Sequence, residues 1–157
     1  MDFPVSTHSD SSVSHLFSKT FDLFLNFDSG DAQDEELFNK VLQAIDETQQ
    51  KVASGHLFSS NEPIDEIPTA YLQYLFLPYW NGKTCAKCPD QNQRSAFLKK
   101  SNTYFTVYLD KCRSLNLLRD EELELADDAV VSDAERRKRK IAKYKRDKEY
   151  SARIEAI

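Results

Sequence analysis

The chain has 157 residues and a mass of 18.1 kDa, which is enough for one domain with a substantial core and too little for two. Hydrophobic residues make up 40% and charged residues 30%, but 3 Gly and 5 Pro are too few for the many turns of a β-sandwich or barrel. Residues 1–132 carry 11 basic and 21 acidic side chains, whereas residues 133–157 carry 10 basic and 5 acidic ones, and the net charge is −5. Phosphate contacts need a basic face, so this acidic body argues against nucleic acid as its partner.

The pattern of apolar and basic residues predicts neither a membrane anchor nor a secretory signal. The longest apolar stretch, residues 74–80, is far shorter than the roughly 20 residues that cross a bilayer. The first ten residues lack a basic segment followed by an apolar one, so we expect a reducing compartment and a cytoplasmic location. Cys85, Cys88 and Cys112 are then expected to be thiols and not a disulfide framework.

Helical periodicity predicts the first two helices. Residues 1–11 are expected to form a flexible leader, and Ser12 or Ser14 to cap the first helix. The apolar positions of the first helix are Leu16, Phe17, Phe21, Leu23, Phe24 and Phe27. One face of the second helix holds Leu37, Val41, Ile45, Thr48 and Val52. Gly55 follows the last of these positions and is expected to be a left-handed C-terminal cap.

The next segment combines a packed loop with a short apolar helix. Residues 56–68 contain two prolines and no sustained period, which indicates an ordered connection. Four apolar side chains are expected to pin it: Leu57, Phe58, Ile64 and Ile67. Thr69 is expected to cap a third helix over residues 71–77, which is apolar all round and therefore buried. Pro78 is expected to kink or end this helix.

Two further helices are predicted after the polar residues 81–93. The fourth helix has its apolar period at Phe97, Ser101, Tyr104, Phe105, Tyr108, Cys112 and Leu115. An acidic connection, residues 119–131, precedes the Ser132–Glu135 capping box, which predicts a last, basic helix over residues 132–157. Its apolar stripe is thin, so we expect it to project from the body or to rest on it along one edge.

Five or more helices with short connections predict an all-α single domain, built as antiparallel helical hairpins. No repeat of 34 residues is detectable, so the pattern does not separate a tetratricopeptide-like stack from a bundle. Nothing in the sequence indicates an oligomer, and we expect a monomer.

Catalytic and metal-binding patterns are weak. The chain lacks nucleophile elbows, phosphate-binding glycine loops and zinc-protease helices, so no catalytic residue, cofactor or metal ligand is assigned. His8, His15 and His56 have no metal-ligand spacing. Cys85 and Cys88 form a C-x-x-C that is half of a zinc site, and the alternatives are redox chemistry or ordinary core thiols.

The basic helix is the sharpest functional feature. Its cations are Arg136, Arg137, Lys138, Arg139, Lys140, Lys143, Lys145, Arg146 and Lys148. Like charges this close repel unless a partner supplies negative charge. The alternatives are a solvated face, nuclear localisation or nucleic-acid contact, and an acidic protein partner. Arg137, Lys140 and Tyr144 are three and four residues apart and therefore share one side of the helix.

Three stretches together resemble the alpha-4 family, also called immunoglobulin-binding protein 1 or type 2A phosphatase-associated protein. HLFSSNEPIDEI and TAYLQYLFLPYWNGK, at residues 56–67 and 69–83, are similar to the family's Leu-Phe-Ser-x-Asn-Glu loop and the helix after it. RSAFLKKSNTYFTVYLDKCRSLNLL, at residues 94–118, resembles a helix with an aromatic pair and a Leu-x-x-Cys. RRKRKIAKYKRDKEYSARI, at residues 136–154, resembles the family's basic signature. The C-x-x-C matches no family motif.

The resemblance implies a tetratricopeptide-like, non-enzymatic domain that binds catalytic subunits of protein phosphatase 2A and its relatives. It implies that these subunits are held stable but latent, in a pathway linked to TOR signalling. In the family, binding depends on an Arg and a Lys that match Arg137 and Lys140, and Lys143, Tyr144 and Lys145 complete the signature. Family members continue into a polar tail, so the chain is expected to be an N-terminal portion whose location is cytoplasmic, with the nucleus as an alternative.

Overall fold

The computed structural model of the protein describes residues 7–30, 34–58, 62–118 and 132–157, with side chains from residue 12 onward. These residues contain five α-helices: α1 Thr7–Ser29, α2 Glu35–Ser54, α3 Leu77–Ala86, α4 Arg94–Ser114 and α5 Asp133–Glu155. Two 3-10 helices, Ile64–Glu66 and Thr69–Phe76, lie between α2 and α3, and no strand occurs within the described ranges. The predicted all-α class is confirmed. The predicted acidic connection, 119–131, lies outside the described residues.

The chain divides into two compact units. We call Met1–Leu118, which contains α1 to α4, the four-helix unit, and Arg119–Ile157, which contains α5, the C-terminal unit. Within the four-helix unit, α3 contacts α1, α2 and α4. Neither unit has, among its described helices, one of the length and apolarity that crossing a bilayer requires.

The first helix pair, α1 with α2, is antiparallel. Phe27 meets Phe38 near the connection, with ring centroids 5.9 Å apart, and farther along Thr20 and Thr48 share a hydrogen bond of 2.8 Å. Both threonines are fully buried, and each hydroxyl also reaches a backbone carbonyl, so neither buried hydroxyl lacks a partner. Asp34 begins α2 by accepting a hydrogen bond of 2.9 Å from the N–H of Leu37.

The second pair, α3 with α4, is antiparallel as well. Tyr79 contacts Phe105 at 6.0 Å between ring centroids, and the Ser101 hydroxyl donates to the Gly82 carbonyl at 2.7 Å. Gly82 allows this approach, because a Cβ there would stand 2.7 Å from the Phe105 ring. The predicted antiparallel hairpins are therefore present in both pairs.

Two predicted helix caps were wrong. α1 begins at Thr7, so Ser12 and Ser14 lie inside the helix and not at its start. Gly55 has φ −77°, and the left-handed residue after α2 is His56, with φ 50°. The backbone N–H of Gly55 donates to the Lys51 carbonyl and that of His56 donates to the Ala53 carbonyl, which closes the helix without a left-handed glycine.

Pro78 lies in the first turn of α3, and the helix before it ends at Phe76, as the proline predicted. The residues before it form a 3-10 helix, Thr69–Phe76, which begins after Pro68 and has no side-chain cap, so the predicted Thr69 cap is wrong too. Pro78 lacks the N–H that would bond to the Tyr74 carbonyl in an α-helix, and the N–H of Leu77 bonds to that carbonyl instead. In the first turn of α3 the missing N–H costs nothing, since no helical partner exists for it there.

A cluster of ionised side chains joins the end of α1 to α3. The Nζ atoms of Lys83 and Lys87 each lie 2.8 Å from the Asp28 carboxylate, and Lys87 also donates to the Asp28 carbonyl at 2.6 Å. Burial raises the pKa of Asp28, but the hydrogen bonds and charges of both lysines outweigh it, so the pKa lies below the usual 3.8. The carboxylate is thus more stable in the folded chain than in the unfolded one.

Asp28→Asn is therefore expected to lower the free energy of unfolding by about 1–2 kcal/mol at pH 7. Because folding lowers the pKa of Asp28, its contribution is complete above the unfolded-state value and is lost as the pH falls through the folded-state value. Urea unfolding of both proteins between pH 7 and pH 2.5 should show the difference shrinking below about pH 4. Asp110→Asn is the matched control, since Asp110 pairs with Arg113 on an exposed surface and should change stability by less than about 0.5 kcal/mol. A difference that persists unchanged at pH 2.5 would contradict this account.

Candidate functional site

The basic helix α5 begins at the predicted cap. The Ser132 hydroxyl accepts a hydrogen bond of 3.3 Å from the N–H of Glu135, which is one half of the predicted capping box. The Glu135 carboxylate lies 3.7 Å from Arg139. Asp133 and Glu135 place negative charge in the first turn, where it is favourable for the helix dipole.

All five predicted binding residues are exposed, but they do not share one side of α5. Successive residues of an α-helix are about 100° apart around the axis. Arg137, Lys140 and Tyr144 therefore lie on one side, as predicted. Lys143 and Lys145 lie on its two opposite flanks. The helix thus brings three of the five together.

Two residues that the sequence-based site omitted lie on the same side. Ile141 is four residues from Arg137, and Lys148 is four residues from Tyr144, so both fall in the stripe of Arg137 and Lys140. Their helical spacing was the signal, and both lie within the stretch 136–154 that resembles the family's basic signature. We call the following set the α5 contact face: Arg137, Lys140, Ile141, Tyr144 and Lys148. It extends roughly 16 Å along the helix axis.

Ion pairs along α5 include Arg136–Asp133 at 3.5 Å, Arg139–Glu135 at 3.7 Å and Arg153–Glu149 at 2.7 Å. Two of these three ion pairs lie away from this face, and the third is at its N-terminal end, where Asp133 precedes Arg137 by four residues and pairs with Arg136. Across the described ranges, no carboxylate lies within ion-pair distance of Arg137, Lys140 or Lys148. The positive charge of the α5 contact face is therefore not neutralised there, and neighbouring cations repel each other.

The C-x-x-C pair lies in the core of the four-helix unit. Cys85 and Cys88 are both buried thiols, and burial raises the pKa of Cys85 to about 11. A thiolate is the form that attacks disulfides and binds zinc, so the protonated thiol is poorly suited to either role. Cys112 is buried as well, and burial raises its pKa. Among the side chains that the structure describes, no three potential metal ligands converge.

An apolar groove of about 650 Å³ lies in the four-helix unit. Aliphatic and aromatic side chains line most of it, including Val52, Phe58, Leu75 and Val107. No pattern in the sequence indicates this groove, because its walls come from α2, the longer 3-10 helix, α3 and α4, which are separate segments of the chain. It offers apolar contact area and not a cluster of acid–base groups.

The chain is similar to proteins of one named family. The model of the TAP42-like family matches residues 13–157. PP2A regulatory subunit TAP46 of Oryza sativa subsp. japonica is 33% identical over 134 residues, which are 85% of this chain and 32% of the rice protein. The protein of the same name from Arabidopsis thaliana is 30% identical over 122 residues, or 77% and 30% of the two chains. Human immunoglobulin-binding protein 1 family member C is 31% identical over 78 residues, or 50% and 23%. The chain spans about a third of the length of its plant relatives.

Proposed function

Because the chain belongs to the TAP42-like family, we propose that it is a non-catalytic adaptor that binds catalytic subunits of protein phosphatase 2A and related phosphatases. It holds them in a stable but latent form. The observation that carries the proposal is the exposed side of α5, where Arg137 and Lys140 have no carboxylate partner among the described residues. The plant relatives, which are named PP2A regulatory subunits, support the choice of partner.

The physics of the surface suits an acidic protein partner. Opposite charges on two proteins speed their encounter and fix their orientation, while exposed ion pairs add only modest affinity. Arg137 and Lys140 are exposed in the free chain, so carboxylates on a phosphatase surface can pair with them without any rearrangement of α5. The proposal includes a monomer in the cytoplasm, with the nucleus as the alternative location, and a place in TOR-linked signalling.

The test is direct binding between the purified 157-residue chain and the catalytic subunit of protein phosphatase 2A. Calorimetry is expected to give a 1:1 complex, with phosphatase activity toward a small substrate reduced in the complex. The bound catalytic subunit should melt at a higher temperature than the free one, because a ligand that binds only the folded state stabilises it. Absence of a complex at micromolar concentrations would contradict the proposal.

Nucleic-acid binding through the same cations is the second candidate. Its affinity is expected to fall steeply with added salt, because each phosphate contact releases counterions. A 20-base-pair duplex is expected to bind no tighter than about 10⁻⁴ M at physiological salt, the weak end of non-specific association. Tighter binding to the duplex than to the catalytic subunit would favour this second function.

A further inference from the structure

We propose that Ile141 and Tyr144 form the apolar centre of the α5 contact face, and that its partner offers an apolar pocket bordered by carboxylates. This inference rests on the proposed function and identifies the chemistry of the surface that the phosphatase subunit presents. In this view the two apolar side chains contribute most of the binding affinity, and the cations around them set the orientation of the complex.

The exposure of these two side chains is the first observation. Ile141 is 49% exposed and Tyr144 is 68% exposed. They are three residues apart and therefore neighbours on the helix surface. An amphipathic helix normally buries its apolar stripe, whereas α5 has its Ile and Tyr pair at the surface, on the side whose cations have no ion-pair partner among the described residues.

The surroundings of the pair are the second observation. Arg137 precedes Ile141 by four residues, Lys140 precedes Tyr144 by four, and Lys148 follows Tyr144 by four. Each cation is therefore a direct helical neighbour of an apolar member, and the aliphatic stems of the cations extend the apolar area. The face has an apolar centre and a charged rim, as protein–protein interfaces do.

Other exposed apolar residues of α5 lack this setting. Ile154 is 71% exposed, but it is roughly 140° around the helix axis from Ile141. Single exposed apolar residues are normal on protein surfaces. We therefore infer a contact surface at Ile141 and Tyr144 from two features together: the residues are neighbours on the helix, and cations surround them.

The chemistry selects the kind of partner. Three cations with no carboxylate of the described residues within ion-pair distance complement an acidic rim on the partner, and the apolar pair gains free energy only where a partner pocket removes it from water. A polyanion supplies phosphates but no pocket for an isoleucine side chain. The substitution of Ile141 therefore separates a protein partner from a nucleic acid.

The experiment measures binding of the full 157-residue chain to the catalytic subunit of protein phosphatase 2A by biolayer interferometry. Ile141→Ala is expected to weaken binding about tenfold and Tyr144→Ala about thirtyfold, mainly through faster dissociation. Both should leave the salt dependence of association unchanged, because no charge is removed. Alanine is the best helix former, so circular dichroism should show α5 intact in each variant.

Ile154→Ala is the matched control, with the same atoms removed from the same helix on another side, and it should bind within about twofold of the unsubstituted chain. Equal binding of the Ile141→Ala, Tyr144→Ala and unsubstituted chains would overturn the inference and leave the proposed function standing. An unsubstituted chain that does not bind the catalytic subunit would overturn the proposed function, and this inference with it. Equal losses for Ile141→Ala and Ile154→Ala would also overturn the inference, because the effect would then not be specific to the face.

Discussion

The double substitution Arg137→Glu with Lys140→Glu is expected to abolish capture of the phosphatase catalytic subunit. Each removed cation loses an interaction with a partner carboxylate, and each new carboxylate adds repulsion, so binding should weaken at least about a hundredfold. The fold should be unaffected, because both side chains are exposed and no carboxylate of the described chain lies within ion-pair distance of either. Reversal also removes two like charges from a crowded helix.

Lys19→Glu with Lys138→Glu is the control for this double substitution. Both lysines are exposed, and the two doubles change the net charge equally. Lys138 is in α5 next to Arg137 in sequence, but it lies about 100° away around the axis. Pull-down at physiological salt, with circular dichroism and thermal melting of each variant, separates a lost surface from a lost fold. Full capture by the Arg137→Glu, Lys140→Glu chain would show that the site has been misassigned, and equal losses in both doubles would show that only net charge matters.

Part of this site was predictable from the sequence. The side shared by Arg137, Lys140 and Tyr144 follows from their spacing and from the capping box that fixes where α5 begins. Lys143 and Lys145 were included because they belong to the family signature. A signature is a run of consecutive residues, and consecutive residues of a helix point in different directions, so not all of them lie on one side. Ile141 was missed as a site residue because apolar residues in a helix are ordinarily assigned to the core, and its exposure in the folded chain shows otherwise.

The fold was predictable where the signal is local and periodic. α2, α4 and α5 each combine an apolar repeat with a polar break, and the structure has each of them. The predicted helix end at Pro78 agrees with the end of the 3-10 helix at Phe76, but the sequence did not show that α3 begins at the same place, where a proline fits the first turn. The contacts of Thr20 with Thr48, and of Asp28 with Lys83, depend on how helices pack and have no signature along the chain.

The packing of Trp80 shows how α3 organises the four-helix unit. Trp80 is buried, and its ring stacks against Phe17, Phe21 and Phe24 of α1 at centroid distances of 5.0, 5.2 and 5.3 Å. Aromatic pairs at such distances add to the free energy gained from burying their surface. Since α3 also contacts α2 and α4, the indole lies where the two antiparallel pairs meet.

Trp80→Ala is therefore expected to lower the free energy of unfolding by about 3–5 kcal/mol, since it removes the transfer energy of the indole and leaves a cavity among three phenyl rings. For a chain of this length the melting temperature should fall by roughly 10 °C. Leu98→Ala, at a position 46% exposed in α4, is the control and should cost less than about 1 kcal/mol. Denaturant unfolding measures the stability of both variants.

Trp80→Ala should also reduce capture of the phosphatase subunit, but only in proportion to the fraction of unfolded chain, and cooling should restore the capture. A stability within 1 kcal/mol of the unsubstituted chain would mean that α1 and α3 are held together by contacts other than this stack.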